Sequence, residues 1–162
     1  MSVDLRHELA LIASALREEG IEYALCGGVA VAIHGYPRAT QDLDLLVREY
    51  DLERIKASMA KVGFTFSAGM IPFDVGKETE RRVFRVSKTM GKDFLSVDLI
   101  LVAPFLEDVW ADRETYQIGD QEIPVVSLEG LKKMKRIAGR PQDLADLHHL
   151  ELDEQNEPRE NG

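Results

Sequence analysis

The sequence predicts a single α/β (α+β) domain, and three observations carry that expectation. Its 162 residues suffice to bury one core without disulfides or structural zinc. Segments with apolar residues at helical spacing alternate with short apolar runs of strand length. Hydrophobic residues make up 44% of the chain and charged residues 30%, the balance of a globular protein.

Taken in order, Leu5, Leu9, Ile12 and Leu16 recur at helical spacing and Gly20 stands where a helix stop belongs, so residues 3–19 read as an amphipathic helix. Residues 21–26 read as a strand. After Gly27 and Gly28, residues 29–34 form a small apolar helix that Gly35-Tyr36-Pro37 breaks. Residues 41–47 are a strand and 52–62 a helix ended by Gly63. Residues 82–87 and 94–102 make strands around the turn Met90-Gly91-Lys92-Asp93, and a further strand pair spans 116–126. Ser127 caps a helix over 128–138, with Leu128, Leu131, Met134 and Ala138 on one face and Lys132, Lys135 and Arg136 on the other. Pro141 opens the last helix from its first position. Residues 1–152 read as one domain without internal repeat or linker. Residues 153–162, acidic and without a large apolar side chain, read as a disordered tail.

Composition narrows the function classes. The N-terminal residues are mixed in charge and lack the apolar stretch of a secretory signal. No apolar run reaches transmembrane length. The single cysteine excludes an internal disulfide and fits a cytoplasmic location. The net charge is −9, of which residues 151–162 supply four. That balance disfavours tight non-specific nucleic-acid binding, which depends on neutralising phosphates.

The chemistry concentrates between Cys26 and Val47. In a strand, Asp42 and Asp44 point to one face about 7 Å apart. Two carboxylates at roughly 6 Å repel by about 3 kcal/mol at an effective dielectric near 20. A turn or cap pair is the bland reading, but the following leucines and the preceding glycines favour a bound hard cation, above all magnesium. Gly27 and Gly28 are either a plain strand-to-helix turn or a bare backbone that approaches phosphate oxygens, with the next helix N-terminus favouring anions. Asp98 interrupts the apolar run of 94–102, where a lone carboxylate needs a partner: a metal, or a salt bridge to Arg82 or Arg85 across the hairpin. Arg38 and Thr40 lie between the motif halves, where they touch phosphates or anchor the turn. Lys135 lies on a charged helix face that is ordinarily solvated, and Asp143 suits the first turn of its helix through the dipole. Cys26 reads as a small buried hydrophobe and His34 as a satisfied loop histidine. His148 and His149, being adjacent, lie on different helix faces.

Gly27-Gly28, thirteen residues, then Asp42-Leu43-Asp44-Leu45 resembles the signature of the nucleotidyltransferase superfamily, the DNA polymerase beta-like fold. The run Arg38, Thr40, Asp42, Asp44 resembles most the abortive-infection (AbiE-type) toxin branch and its minimal relatives. Residues 135–146 resemble that branch's K-x-x-A-x-x-x-R-x-x-D motif, with one departure: Arg140 follows Lys135 by five positions. The resemblance implies a mixed β-sheet with helices packed on one face and the site on the other. It implies transfer of a nucleoside monophosphate from a nucleoside triphosphate to an acceptor hydroxyl, releasing pyrophosphate. Asp42, Asp44 and Asp98 would be catalytic and hold magnesium, or manganese in its place. Gly27, Gly28, Arg38, Thr40, Lys135 and Asp143 would bind the nucleotide. The acceptor would be tRNA, a protein or a small molecule, and a toxin or antitoxin partner is implied. The alternative is a non-catalytic antitoxin or nucleotide-binding partner module.

Overall fold

The first element begins where the sequence supplies a cap. In the computed structural model, which describes residues 4–36 and 42–156, the Asp4 carboxylate accepts from the His7 N–H at 3.2 Å and starts helix α1, Leu5–Glu18. The elements that follow are β1 (Tyr23–Cys26), α2 (Gly27–Ile33), β2 (Asp42–Val47), α3 (Leu52–Lys61), β3 (Phe66–Phe73), β4 (Arg81–Met90) and β5 (Asp93–Leu101). Then come α4 (Glu107–Ala111), β6 (Glu114–Ile118), β7 (Gln121–Val125), α5 (Leu128–Ala138) and α6 (Pro141–Asn156).

Most expected elements stand within one or two residues of their sequence bounds. The first strand starts later than expected because the Ile21 N–H is taken by the Leu16 carbonyl in the turn that closes α1. Ser127 caps α5 through Gly130 N–H at 3.1 Å, and Gly139, at φ +62°, ends it. Helix α6 runs on to Asn156, into the segment expected to be disordered; residues 157–162 of that expected tail lie outside the described residues. Two elements had no sequence signal. β3 is largely exposed and contains Gly69 and Pro72, so it shows no apolar alternation, and α4 has only five residues.

The sheet is mixed and seven-stranded, in the order β3-β4-β5-β2-β1-β7-β6. β1 pairs antiparallel with β2 and parallel with β7, while β2 pairs parallel with β5. A register shift between Ser67 and Gly69 marks a bulge where the edge strand β3 pairs with β4. Along β2, Leu43, Leu45 and Val47 are fully buried and alternate with Asp42, Asp44 and Leu46. Helices α1 and α3 pack on each other and contribute Leu9, Ile12, Leu16, Ile55 and Met59 to the core. They cover the face that carries Lys88 and Phe84 of β4, which meet Glu8 of α1 and Lys56 of α3. Helices α5 and α6 border the opposite face, which carries the acidic residues.

One ion pair ties α1 to the sheet. The Lys88 ammonium donates to both Glu8 carboxylate oxygens, at 3.2 and 2.9 Å, and to the Val62 carbonyl at 2.9 Å. Glu8 is 1% exposed. Removing one member of such a pair leaves the other charge uncompensated. Glu8→Ala should therefore lower the unfolding free energy by about 3 kcal/mol in urea titrations, whereas truncating an exposed α1 residue such as Glu18 should change little.

Candidate active site

The site follows from strand register. Cys26 of β1 lies opposite Asp44 of β2, Asp44 opposite Asp98 of β5, and Asp98 opposite Arg85 of β4. Partnered residues share a face, and period two places Asp42 beside Asp44. Asp42, Asp44 and Asp98 therefore gather on one sheet face, as their positions in the sequence predict. They line a cleft of about 620 Å³ together with Gly27, Gly28, Lys135 and Asp143. Arg38 and Thr40 lie outside the described residues. The cleft also has an apolar wall, Ile100, Phe105, Met134 and Ile137; the sequence pattern marks Met134 and Ile100 as apolar positions of their helix and strand but not as cleft lining.

Asp44 sits deepest. Burial, then the Asp98 charge, push its carboxyl up to about 7, against the pull of Lys135. Gly27 makes that position possible. Its φ is +67°, and a Cβ there would lie 2.7 Å from Cγ and 2.9 Å from Cβ of Asp44. Only glycine meets both demands. Gly28 differs: it is buried inside α2 and is not among the positive-φ glycines. Cys26 is fully buried, and burial followed by the Asp44 charge pushes its thiol well up, consistent with a core residue rather than a nucleophile.

Asp98 is held by Arg85. The guanidinium donates from Nε to Oδ1 at 2.7 Å and from Nη2 to Oδ2 at 3.1 Å, a fork-to-fork pair. Of the two hairpin arginines, Arg82 pairs instead with Glu49. Among the described residues, no three His, Cys, Asp or Glu side chains form a preassembled metal cluster.

The polar face of α5 is solvated only at Arg136 among its three expected cations. Lys132 and Lys135 are 3% and 6% exposed, and α6 packs against α5 on the side of Lys135. The Lys135 ammonium lies 3.0 Å from Asp143 Oδ1 and 3.1 Å from Asp146 Oδ2. Asp143 also accepts from Arg140, from its backbone N–H at 3.2 Å and Nε at 2.7 Å. Asp143 thus caps the start of α6 and fixes the cleft-lining Lys135 and Arg140. Burial raises its carboxyl, but the hydrogen bonds from Arg140 and Lys135 outweigh it and hold the net value below the ordinary range. Asp146, fully buried and bonded by Gln142 at 2.8 Å, is the member that sequence reading missed. Its signal was the spacing of two acids, i and i+3, on the helix that follows a lysine-bearing one. His34 bonds the Val126 carbonyl at 2.8 Å, as expected of a satisfied loop histidine.

With this geometry in place, comparison with known proteins adds three findings. The sequence model of a family described as "Uncharacterised nucleotidyltransferase" matches residues 2–131. No curated protein matches the chain. Among solved structures, a protein from Thermotoga maritima classed as a nucleotidyltransferase is similar at TM-score 0.59 and 15% identity, covering 91% of this chain and 92% of its own. The lincosamide antibiotic adenylyltransferase LnuA, lincomycin-bound, gives TM-score 0.55 at 13% identity over 93% and 97% of the two chains. ANT(2")-Ia in complex with adenylyl-2"-tobramycin gives TM-score 0.53 at 13% identity over 91% and 87%. At these identities the likeness is one of fold.

Two outcomes follow from the site's electrostatics. The Asp44 carboxyl keeps its proton up to about pH 7 in the folded chain but only to the ordinary carboxylate value of 3.8 when unfolded. The folded state binds the extra proton between those values, so stability falls as pH rises through that window. In metal-free protein, Asp44→Asn should be more stable than the parent, little at pH 4 and by up to about 4 kcal/mol above pH 7.5, read from melting curves across pH. Lys135→Ala should destabilise by about 3–5 kcal/mol, since two buried carboxylates lose their shared ammonium. The exposed Arg136→Ala, measured alongside in denaturant, should stay within about 0.5 kcal/mol.

Proposed function

The chain belongs to the nucleotidyltransferase family whose sequence model it matches, and on that premise we propose that it moves a nucleoside monophosphate from a nucleoside triphosphate to an acceptor hydroxyl. The observation that carries the reading is the convergence of Asp42, Asp44 and Asp98 with Gly27 in one cleft through strand register.

The donor set fits a hard divalent ion. Its ligands are carboxylate oxygens, and the cause of Asp44's raised pKa, burial among like charges, is what a dication would offset. Asp42 and Asp44 would hold magnesium or manganese, with Asp98 as third carboxylate. When bound, the ion would screen the triphosphate and the charge that develops on departing pyrophosphate. In the transfer, the acceptor hydroxyl oxygen attacks the α-phosphorus. The bond from that phosphorus to the α–β bridging oxygen breaks, and pyrophosphate leaves. Asp98 orients the hydroxyl and takes its proton. Gly27 and Gly28 offer backbone N–H groups to the β- and γ-phosphates, Lys135 supplies a counter-charge, and Asp143 and Asp146 hold that ammonium in place. By the resemblance, Arg38 and Thr40 would bind the nucleotide as well. Such chemistry is mainly positioning and charge neutralisation.

The finer resemblance to the AbiE-type branch rests on the Arg38-to-Asp44 run and on Lys135, Arg140 and Asp143. It keeps tRNA, protein and small molecules as acceptor classes, with a toxin or antitoxin partner. The similar folds of two adenylyltransferases seen with antibiotics and the apolar wall of the cleft favour ATP and a small hydroxylated acceptor as the first pair to test. Among the described residues, no helix is long and apolar enough to cross a membrane.

The test is pyrophosphate release and label transfer from each α-labelled triphosphate, with cell extract as acceptor source. Chelator should abolish both, and Asp42→Asn, Asp44→Asn and Asp98→Asn should each reduce turnover by about a hundredfold or more. Transfer that survives chelator, or near-normal turnover by Asp44→Asn, would refute the mechanism.

A further inference from the structure

Asp98 and Arg85 stand directly opposite on β5 and β4, so neither side chain reaches far to meet the other. Both carboxylate oxygens of Asp98 are engaged by the guanidinium, at 2.7 and 3.1 Å. A divalent ion at the Asp42–Asp44 pair would need the same oxygens to gain a third carboxylate. The two cations are therefore alternatives for one anion. Their environments favour an exchange: Asp98 is 19% exposed at its side chain and Arg85 45%, so the carboxylate stays in the wall while the guanidinium has solvent to swing into. Arg81, four residues back and also lining the cleft, is pinned by Asp74 Oδ2 at 2.8 Å and the Thr79 carbonyl at 3.1 Å. Arg85 is thus the cleft arginine of β4 whose anchor is itself a member of the acidic set.

We propose that Arg85 is a resident stand-in for the divalent ion at Asp98, competing with metal for that carboxylate and released from it when metal binds. The proposal rests on the metal-dependent reading above. It makes Arg85 a positioning residue: it keeps the third carboxylate charged and aimed along the sheet while the ion is absent, and it sets how much free metal is needed to complete the site.

The competition is measurable without turnover. Manganese binding to nucleotide-free protein can be followed through the paramagnetic resonance of the free ion, with melting curves to verify folding. Arg85→Gln should bind manganese more tightly, on the order of tenfold, the strength of a lost charged hydrogen-bonded pair. Arg85→Lys, which cannot grip with a planar fork, should fall between, and it carries the test if Arg85→Gln does not fold. Adding Asp98→Asn should erase the gain, so that Arg85→Gln/Asp98→Asn matches Asp98→Asn alone. Unchanged or weaker binding by a folded Arg85→Gln overturns the proposal. So does a gain that persists in the double variant, since it would reflect general field and not competition for Asp98. If no variant binds manganese even with ATP present, the metal reading itself fails and this inference falls with it.

Discussion

Like charges crowded on one sheet face are the constraint around which this chain is built. Parallel pairing of β2 with β5 sets Asp44 beside Asp98, and strand period adds Asp42. Left alone, such a cluster would disfavour the pairing that creates it. The fold answers with three cations from two directions: Arg85 from the neighbouring strand, and Lys135 and Arg140 from the α5–α6 junction.

Each answer carries its own structural requirement. Lys135 can lie buried near Asp44 because Asp143 and Asp146 neutralise it from behind, which in turn requires α6 to dock on α5. Pro141 and the Arg140 N–H bond to Asp143 fix where α6 begins. On the far side, Gly27 yields the space that the Asp44 carboxyl occupies. Beneath the sheet, Leu43, Leu45 and Leu99, none of them exposed, supply the apolar burial that holds strained electrostatics in place. Function here draws on stability stored elsewhere.

The fold and the acidic triad were legible because they leave local signals. Period-two leucines flanking Asp42 and Asp44, glycines at turns, and Ser127 and Pro141 at helix starts each act within a few residues. What escaped was non-local. β3 gains its place from pairing with β4 and not from its own side chains. The polar face of α5 reads as solvated until α6 is known to dock on it, so Lys135 could not be recognised as buried, nor Asp146 as one of its partners. Asp98 was recognised as needing a partner, yet two chemistries satisfied the same sequence. The register that brings Arg85 opposite it favours the ion pair in the metal-free chain.

The bulged edge of the sheet bears on how the protein behaves in a crowd. β3 leaves one row of backbone groups open and carries Phe66, Met70 and Phe73 at 56%, 38% and 41% exposure, a combination that invites strands of other molecules to add on. The bulge between Ser67 and Gly69 bends that row, and Pro72 lacks the N–H needed to continue it. An incoming strand finds only short unbroken stretches to pair with. An interrupted backbone ladder of this kind works against the strand addition that an open edge otherwise permits.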